Sequence, residues 1–383
     1  MNSLNAMAET KLKALEKLHL RRRLRPSDRL PEAVVVRDGR RLLSFSCNDY
    51  LNLSLDPRVI EAAVEATRRY GAGAGASRLV TGDHPLFAEL EARLARLKGT
   101  EDCIVFGSGY LANAGILPAL MGADDLILAD ALSHACLLSG ARLAGARTLT
   151  FRHNDMAHLA ELLETHRASH PHCLVVTDGV FSMDGDLPPL PEMAALCARH
   201  DAWLLTDDAH GIGVVGGGRG SSFAFGDKVD VPLQMGTLSK AIGGYGGYLC
   251  ASKPVVDLMR TRARTFVFST GLPPASVAAA IAALDIIESE PGYCQRPLDL
   301  ARLFAWQMQL PAPQSPIVPV IVGDASRALA LSAALEAEGF LVAAIRPPTV
   351  PRGTARLRFT FTARHREEDV ERLAETLKRL MEG

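Results

Sequence analysis

CIVF (103–106), LILA (126–129), TLTF (148–151), CLVVT (173–177), AWLLT (202–206), PLQMG (232–236) and GYLCA (247–251) recur along one continuous stretch of the chain. Helical patterns stand between several of them, as at 157–166 and 192–200. Apolar runs of strand length separated by helices predict a mostly parallel, seven-stranded sheet covered on both faces, an α/β fold.

Outward from this stretch the character changes. Residues 9–25 predict an amphipathic helix, with Leu12, Leu15 and Leu18 at helical spacing and Arg21, Arg22, Arg23 and Arg25 at its end before Pro26. AVVV (33–36) and LLSFS (42–46) flank a turn at Asp38-Gly39 and predict a short β section. Residues 85–98 predict a helix with Leu86, Leu90, Leu94 and Leu97 on one face, closed by Gly99. After an Ala-rich helix at 274–289 come a helix near 297–309, a strand at 316–323, a helix at 325–338, the apolar run FLVAAI (340–345), a strand at 355–361 and a last helix at 367–381. The division this suggests is an N-terminal segment 1–46, a large α/β unit 47–289 and a small α+β unit 290–383.

The chain has 383 residues, 48% hydrophobic and 22% charged, with net charge −1. It is long enough for a large core without disulfides, and no basic field points to nucleic acid or to an anionic membrane. Seven scattered cysteines with no C-x-x-C pair argue for a reducing, cytoplasmic setting and against a zinc ribbon. The uncharged stretches 103–123 and 265–284 are broken by glycines and prolines and read as buried segments, not membrane spans.

Lys240 follows an apolar strand and precedes Ala-Ile-Gly-Gly-Tyr-Gly-Gly. An ammonium in an apolar, glycine-rich setting is poorly solvated, which lowers its pKa and suits it to act as nucleophile and base. Asp207, Asp208 and His210 end the strand at 202–206, and sites in open α/β sheets gather at carboxyl ends of strands. An acid there can pair with a protonated heteroaromatic nitrogen. FGSGYLAN (106–113) is a glycine turn that opens a helix, where free N–H groups bind phosphate. His134 and Ser182 follow two further strands. Gly211-Ile-Gly213-Val-Val-Gly216 spells a dinucleotide fingerprint, but the glycines and serines after it predict no helix. His166, His170 and His172 flank Pro171 in a connection and are not read as a metal site. A non-enzymatic nucleotide-binding protein resting on the glycine clusters is the alternative. A yellow colour from bound pyridoxal phosphate, absorbing near ~420 nm, would decide against it.

Taken in order, FGSGYLAN, DALSHAC (130–136), TDGVFSMDGD (177–186), TDDAHGIG (206–213) and GTLSKA (236–241) resemble the α-oxoamine synthases. The resemblance runs from about residue 20 to the C-terminus. It implies an aspartate-aminotransferase-like fold (type I of the pyridoxal-phosphate enzymes), pyridoxal 5′-phosphate as cofactor, a homodimer, and an amino acid and an acyl thioester, of CoA or of an acyl carrier protein, as substrates. SFSCNDYLNLS (44–54), LRRR (20–23) and AIRPPTVPRGT (344–354) resemble the branch that joins a pimeloyl thioester to L-alanine in biotin synthesis. The glycine C-acetyltransferase, 5-aminolevulinate synthase and serine palmitoyltransferase branches share the core motifs, and TLSKA here replaces the TFGKG of some members of the pimeloyl branch. The resemblance makes Lys240 the Schiff-base lysine, Asp207 the partner of the pyridine nitrogen, His210 a donor to the ring oxygen and His134 the residue stacked on the ring. It gives Gly109, Tyr110, Ser182 and Thr237 to the cofactor, and Ser269 and Thr270 to the phosphate of the partner subunit. Asn48 and Arg358 are implied for the amino-acid carboxylate, and Arg21, Arg346 and Thr349 for the acyl substrate. No metal is implied.

Overall fold

A computed structural model describes residues 2–382 except 18, 19 and 23. Seven strands form the central sheet: β4 (Asp102–Phe106), β5 (Leu126–Asp130), β6 (Arg147–Phe151), β7 (Cys173–Asp178), β8 (Trp203–Asp207), β9 (Leu233–Thr237) and β10 (Gly247–Ala251). Their order is β4-β10-β9-β8-β7-β5-β6, and only β10 runs against its neighbours. β5, β7, β9 and β10 are buried along their whole length. Both faces are therefore covered, which is why their sequences are unbroken apolar runs and do not alternate.

The strand connections and flanks are helical: α2 (Pro57–Tyr70), α3 (Leu86–Lys98), α4 (Gly109–Leu120), α5 (Ala135–Ala144), α6 (Met156–His166), α7 (Leu190–Arg199), α8 (Lys253–Arg262), α9 (Arg264–Val267) and α10 (Pro274–Ser289). Leu90, Leu94 and Leu97 of α3 are buried, and Gly99 ends the helix at φ 61°, a left-handed turn that glycine takes without strain. The Gly211–Gly216 run opens no helix; Gly213, Gly216, Gly217 and Gly218 all have positive φ and form successive turns.

The remaining elements are α1 (Ser3–Lys17), β1 (Asp28–Arg29), β2 (Val34–Arg37), β3 (Arg40–Ser44), α11 (Pro291–Gln307), β11 (Ile317–Gly323), α12 (Ala325–Ala337), β12 (Phe340–Leu341), β13 (Ala343–Ile345), β14 (Ala355–Thr360) and α13 (Glu367–Glu382). β3 pairs in parallel with β12, so the N-terminal β section shares a sheet with the C-terminal region. Phe45 lies in the same core as Phe304, Phe340, Phe359 and Phe361.

Three sequence expectations need correction. The first helix covers Ser3–Lys17, not 9–25, and buries none of its residues. It ends where the amide of Leu20 reaches back to the carbonyl of Leu15 at 2.8 Å, and Arg21 and Arg22 continue as coil. Clustered arginines ahead of Pro26 repel one another and cannot continue a helix into it. Leu18 and Arg23, part of that expectation, lie outside the described residues. The run FLVAAI is not one strand: buried Val342 separates β12 from β13, which pair in different sheets. The helix placed near 297–309 begins at Pro291, whose missing N–H costs nothing in a first turn, and carries Pro297 inside it. No helix among the described residues is long and apolar enough to cross a membrane.

Candidate active site

The carboxyl ends of β7, β8 and β9, the loop after β5 and the start of α4 surround a cavity of about 240 Å³. Gly109, Tyr110, His134, Asp207, His210, Thr237 and Lys240 line it, joined by Ser108, Cys136, Asp178 and Ser239.

Asp207 ends β8 and is 5% exposed. Its Oδ2 accepts from Asn113 Nδ2 at 2.7 Å and its Oδ1 from the amide of Ala209 at 3.0 Å. The next residue, Asp208, turns away to Lys98 Nζ at 2.7 Å, a pair in which both side chains are fully buried. Register places Asp178 of β7 beside Asp207. Burial first, and then the Asp207 carboxylate, push the Asp178 carboxyl well above its usual range. Asp178 Oδ1 accepts from the amide of His134 at 3.1 Å.

Lys240 sits in the turn between β9 and β10. Gly244 donates to the carbonyl of Leu238 at 2.8 Å, Gly243 donates to that of Lys240 at 2.8 Å, and Thr237 Oγ1 donates to that of Gly246 at 2.7 Å. The backbone of Lys240 is thus fixed, while its half-buried ammonium has no hydrogen-bond partner among the described residues. Burial lowers its pKa, although Asp207 and Asp178 pull the other way.

His134 caps the N-terminus of α5; burial lowers its pKa, with Asp207 opposing the effect and Lys240 adding to it. His210 is depressed further, by burial and then by Lys240 and Arg358. Its Nδ1 lies 2.7 Å from the hydroxyl of Tyr50, whose own pKa burial pushes up to about 12. Buried Arg358 of β14 donates to the carbonyl of Ser182 and to Asn48 Oδ1 at 3.2 Å. A line of polar contacts therefore runs from β14 through Asn48 and Tyr50 to His210.

A second cavity of about 660 Å³ adjoins the first, with His134 in the wall of both. Ser182 and Thr349 line this second space and not the first. Thr349 donates its amide to the carbonyl of half-buried Arg346 at 3.0 Å in the turn after β13. Ser269 and Thr270 reach neither cavity of one chain; they lie beside Gly107 and Arg78, and Thr270 is exposed. Arg21 also lines neither, and its guanidinium pairs with Glu16 at 3.1 Å. Asn113, Cys136, Asp178 and Tyr50 carry contacts that sequence reading did not assign. Asp178 had the same signal as Asp207, an acid ending an apolar strand.

The donor set fits pyridoxal 5′-phosphate. An acid and an amine face one cavity, as a pyridine nitrogen and an aldehyde require. Near them are the N-terminus of the 12-residue α4 and the hydroxyls of Thr237 and Ser239. A Cβ on Gly109 would stand 3.3 Å from Met235 Cε and 3.4 Å from Thr237 Oγ1, so glycine leaves more room between helix end and strand.

The family model described as aminotransferase class I and II matches residues 40–377. A protein named putative 8-amino-7-oxononanoate synthase from Parvibaculum lavamentivorans is 66% identical over 375 residues, 98% of this chain and 96% of that one. An 8-amino-7-oxononanoate synthase from Maricaulis maris is 62% identical over 380 residues, covering 99% and 97%. Among solved structures, a Sphingomonas wittichii serine palmitoyltransferase superposes with a TM-score of 0.92 at 32% identity, covering 99% of this chain and 98% of that one. A Francisella tularensis 8-amino-7-oxononanoate synthase gives 0.76 at 25% identity, covering 89% and 98%.

Proposed function

The chain belongs to the aminotransferase class I and II family, and from that premise we propose that it condenses L-alanine with a pimeloyl thioester to give 8-amino-7-oxononanoate, CO₂ and free thiol. The observation that carries this reading is the amine of Lys240 and the carboxylate of Asp207 in one cavity, in a chain 66% identical to a relative of that name. Serine palmitoyltransferase, the second reading, has the higher structural similarity, with a TM-score of 0.92 against 0.76. Its 32% sequence identity is half that of the named relatives, and shared fold does not decide substrate.

Pyridoxal 5′-phosphate, when bound, supplies an aldehyde that takes up the amino acid and a ring that withdraws electrons from its α-carbon. Lys240 would hold that aldehyde through its unprotonated amine, and the same atom is placed to take the α-proton of alanine and later return one. Asp207, fixed by Asn113 and Ala209, holds a proton on the ring nitrogen. His134 would stack on the ring and His210 would donate to its oxygen, with Gly109, Tyr110 and Thr237 holding the group from the cavity wall and Ser182 approaching from the wall of the second cavity. Asn48 and Arg358 orient the alanine carboxylate, which leaves as CO₂. The new bond joins the α-carbon to the thioester carbonyl, and the C–S bond breaks to release the thiol. Thr349 would contact the acyl chain from the wall of the second cavity, and Arg346, in the turn beside it, is assigned to the same chain.

Ser269 and Thr270 line a small pocket beside Gly107 and Arg78, and Arg21 lines neither of the two larger cavities; in this reading the three act across a homodimer, the commonest closed assembly. The segments 1–46, 47–289 and 290–383 are its N-terminal, cofactor-binding and small units, in a cytoplasmic protein.

The test offers the pyridoxal-phosphate-loaded protein a panel of amino acids and thioesters. Thiol release with alanine and pimeloyl-CoA, and 8-amino-7-oxononanoate in the mass spectrum, are expected. Preference for serine with palmitoyl-CoA would overturn the assignment. Sedimentation at assay concentration should show a dimer; a fully active monomer would remove the three cross-subunit residues.

A further inference from the structure

Four groups on the cavity floor touch in a row that the proposed function does not explain. Asn113 of α4 is fully buried and donates from Nδ2 to Asp207 Oδ2 at 2.7 Å and to Cys136 Sγ at 3.1 Å. Cys136 Sγ lies 2.8 Å from His134 Nδ1 and 3.8 Å from Asp207 Oδ2. The amide of Cys136 points at the same Nδ1, at 3.3 Å.

We propose that Asn113 and Cys136 are positioning residues that couple Asp207 to His134: the amide fixes the carboxylate, and the thiol fixes the tautomer and plane of the imidazole. This rests on the reading that Asp207 and His134 flank the pyridoxal ring.

The direction of each bond follows from which atoms can donate. A backbone N–H only donates, so His134 Nδ1 must present its lone pair to the amide of Cys136. The thiol at 2.8 Å then donates to Nδ1 as well. A neutral imidazole has one N–H, which is left on Nε2. Nε2 has no partner among the described residues and remains the one donor the ring can offer to a bound molecule. The thiol must keep its proton for this, and burial, aided by the nearby Asp207 charge, pushes Cys136 up to about 12. Having donated its only proton, Sγ accepts from Asn113.

Asn113 is oriented by the same logic. Its buried Oδ1 has no partner. Turning the amide over would set that oxygen against the Asp207 carboxylate and lose both Nδ2 bonds. One orphaned oxygen is the smaller cost, since bonds to a charged acceptor are stronger than neutral ones. The amide thus commits both of its protons, one to the acid and one to the thiol.

The test combines histidine-selective ¹⁵N spectra of the apoprotein with titration by pyridoxal phosphate, His134 being assigned from a His134→Gln variant. Wild type and Cys136→Ser should both show His134 protonated at Nε2, with cofactor affinities within about twofold. Cys136→Ala keeps the backbone amide at Nδ1 but loses the thiol, so it should show a measurably larger Nδ1-protonated fraction than wild type and a Kd raised about two- to tenfold, the worth of one neutral hydrogen bond. Asn113→Leu should raise the Kd and leave the tautomer unchanged. A proton on Nδ1 in wild type would overturn the proposal without any variant, which covers failure of Cys136→Ala to fold. So would a Cys136→Ala protein that matches wild type in both readouts. If His134→Gln and Asp207→Asn bind the cofactor as wild type does, the reading of the cavity fails while the nitrogen shifts still report the tautomer.

Discussion

Asp207 and Asp208 are consecutive residues whose carboxylates serve different ends: Asp207 accepts from Asn113 at the cavity floor, and Asp208 is sealed against Lys98 at 2.7 Å. Asp208 also receives the amide of Ser221 at 2.9 Å, and Lys98 donates to the carbonyl of Arg219 at 2.6 Å. The second pair ties the end of β8 to α3 and to the glycine-rich turn, which fixes the backbone from which Asp207 projects.

Lys98→Met should therefore destabilise the fold by about 3–5 kcal/mol, because it leaves Asp208 charged and buried without its partner. Chemical denaturation should show the loss. The double variant Lys98→Met with Asp208→Leu should recover part of it, since no charge then remains to be desolvated. Equal stability of Lys98→Met and wild type would show that the pair contributes nothing.

Lys240→Ala removes the group assigned both to hold the cofactor and to move the α-proton. Turnover should fall on the order of 10⁴-fold or more, with the melting temperature little changed because the turn is held by main-chain bonds. Retention of even one percent of wild-type kcat, roughly 10²-fold above that expectation, would remove Lys240 from the chemistry.

Asp207→Asn should bind the cofactor more weakly and, even at saturating pyridoxal phosphate, slow exchange of the alanine α-hydrogen with deuterated water by about 10²-fold or more. An amide cannot hold a proton on the ring nitrogen. Exchange at the wild-type rate would assign that task elsewhere.

His153 offers a test by pH alone. Burial would lower its pKa, but hydrogen bonds to Asp130 and Asp186, each at 2.9 Å, win and raise it to about 10. A pKa raised on folding contributes stability that is complete below the unfolded value near 6.5 and fades as pH climbs through 10. Wild type should exceed His153→Ala most at pH 6, and the gap should narrow by pH 10.5. A gap that widens with pH would contradict this arrangement.

How much of this was legible depended on where each residue's partners lie. β5, β7, β9 and β10 announced themselves because burial on both faces leaves no polar alternation, whereas edge strand β6 is largely exposed. Lys240, Asp207, His210, Gly109 and Thr237 stood at strand ends or helix starts, and one sheet edge necessarily gathers such positions. Asn113 meets Asp207 across 94 residues of chain, and Tyr50 meets His210 across 160, separations that leave no local pattern. Ser182 looked like part of the first cavity by motif order, yet the loop after β7 sets it in the wall of the second. The first helix misled because spaced leucines predict a buried face, and Leu12 and Leu15 stay exposed.

The pairing of β3 with β12 and the reach of Arg358 to Asn48 also set a timetable for synthesis. The ribosome finishes the seven-stranded sheet at residue 251, but Asn48 meets Arg358 only once the chain has grown 310 residues beyond Asn48 itself. Contacts between such distant segments form late, because closing a long loop costs entropy before any contact rewards it. A nascent chain released before β14 would carry the finished seven-stranded sheet without the contact of Arg358 to Asn48.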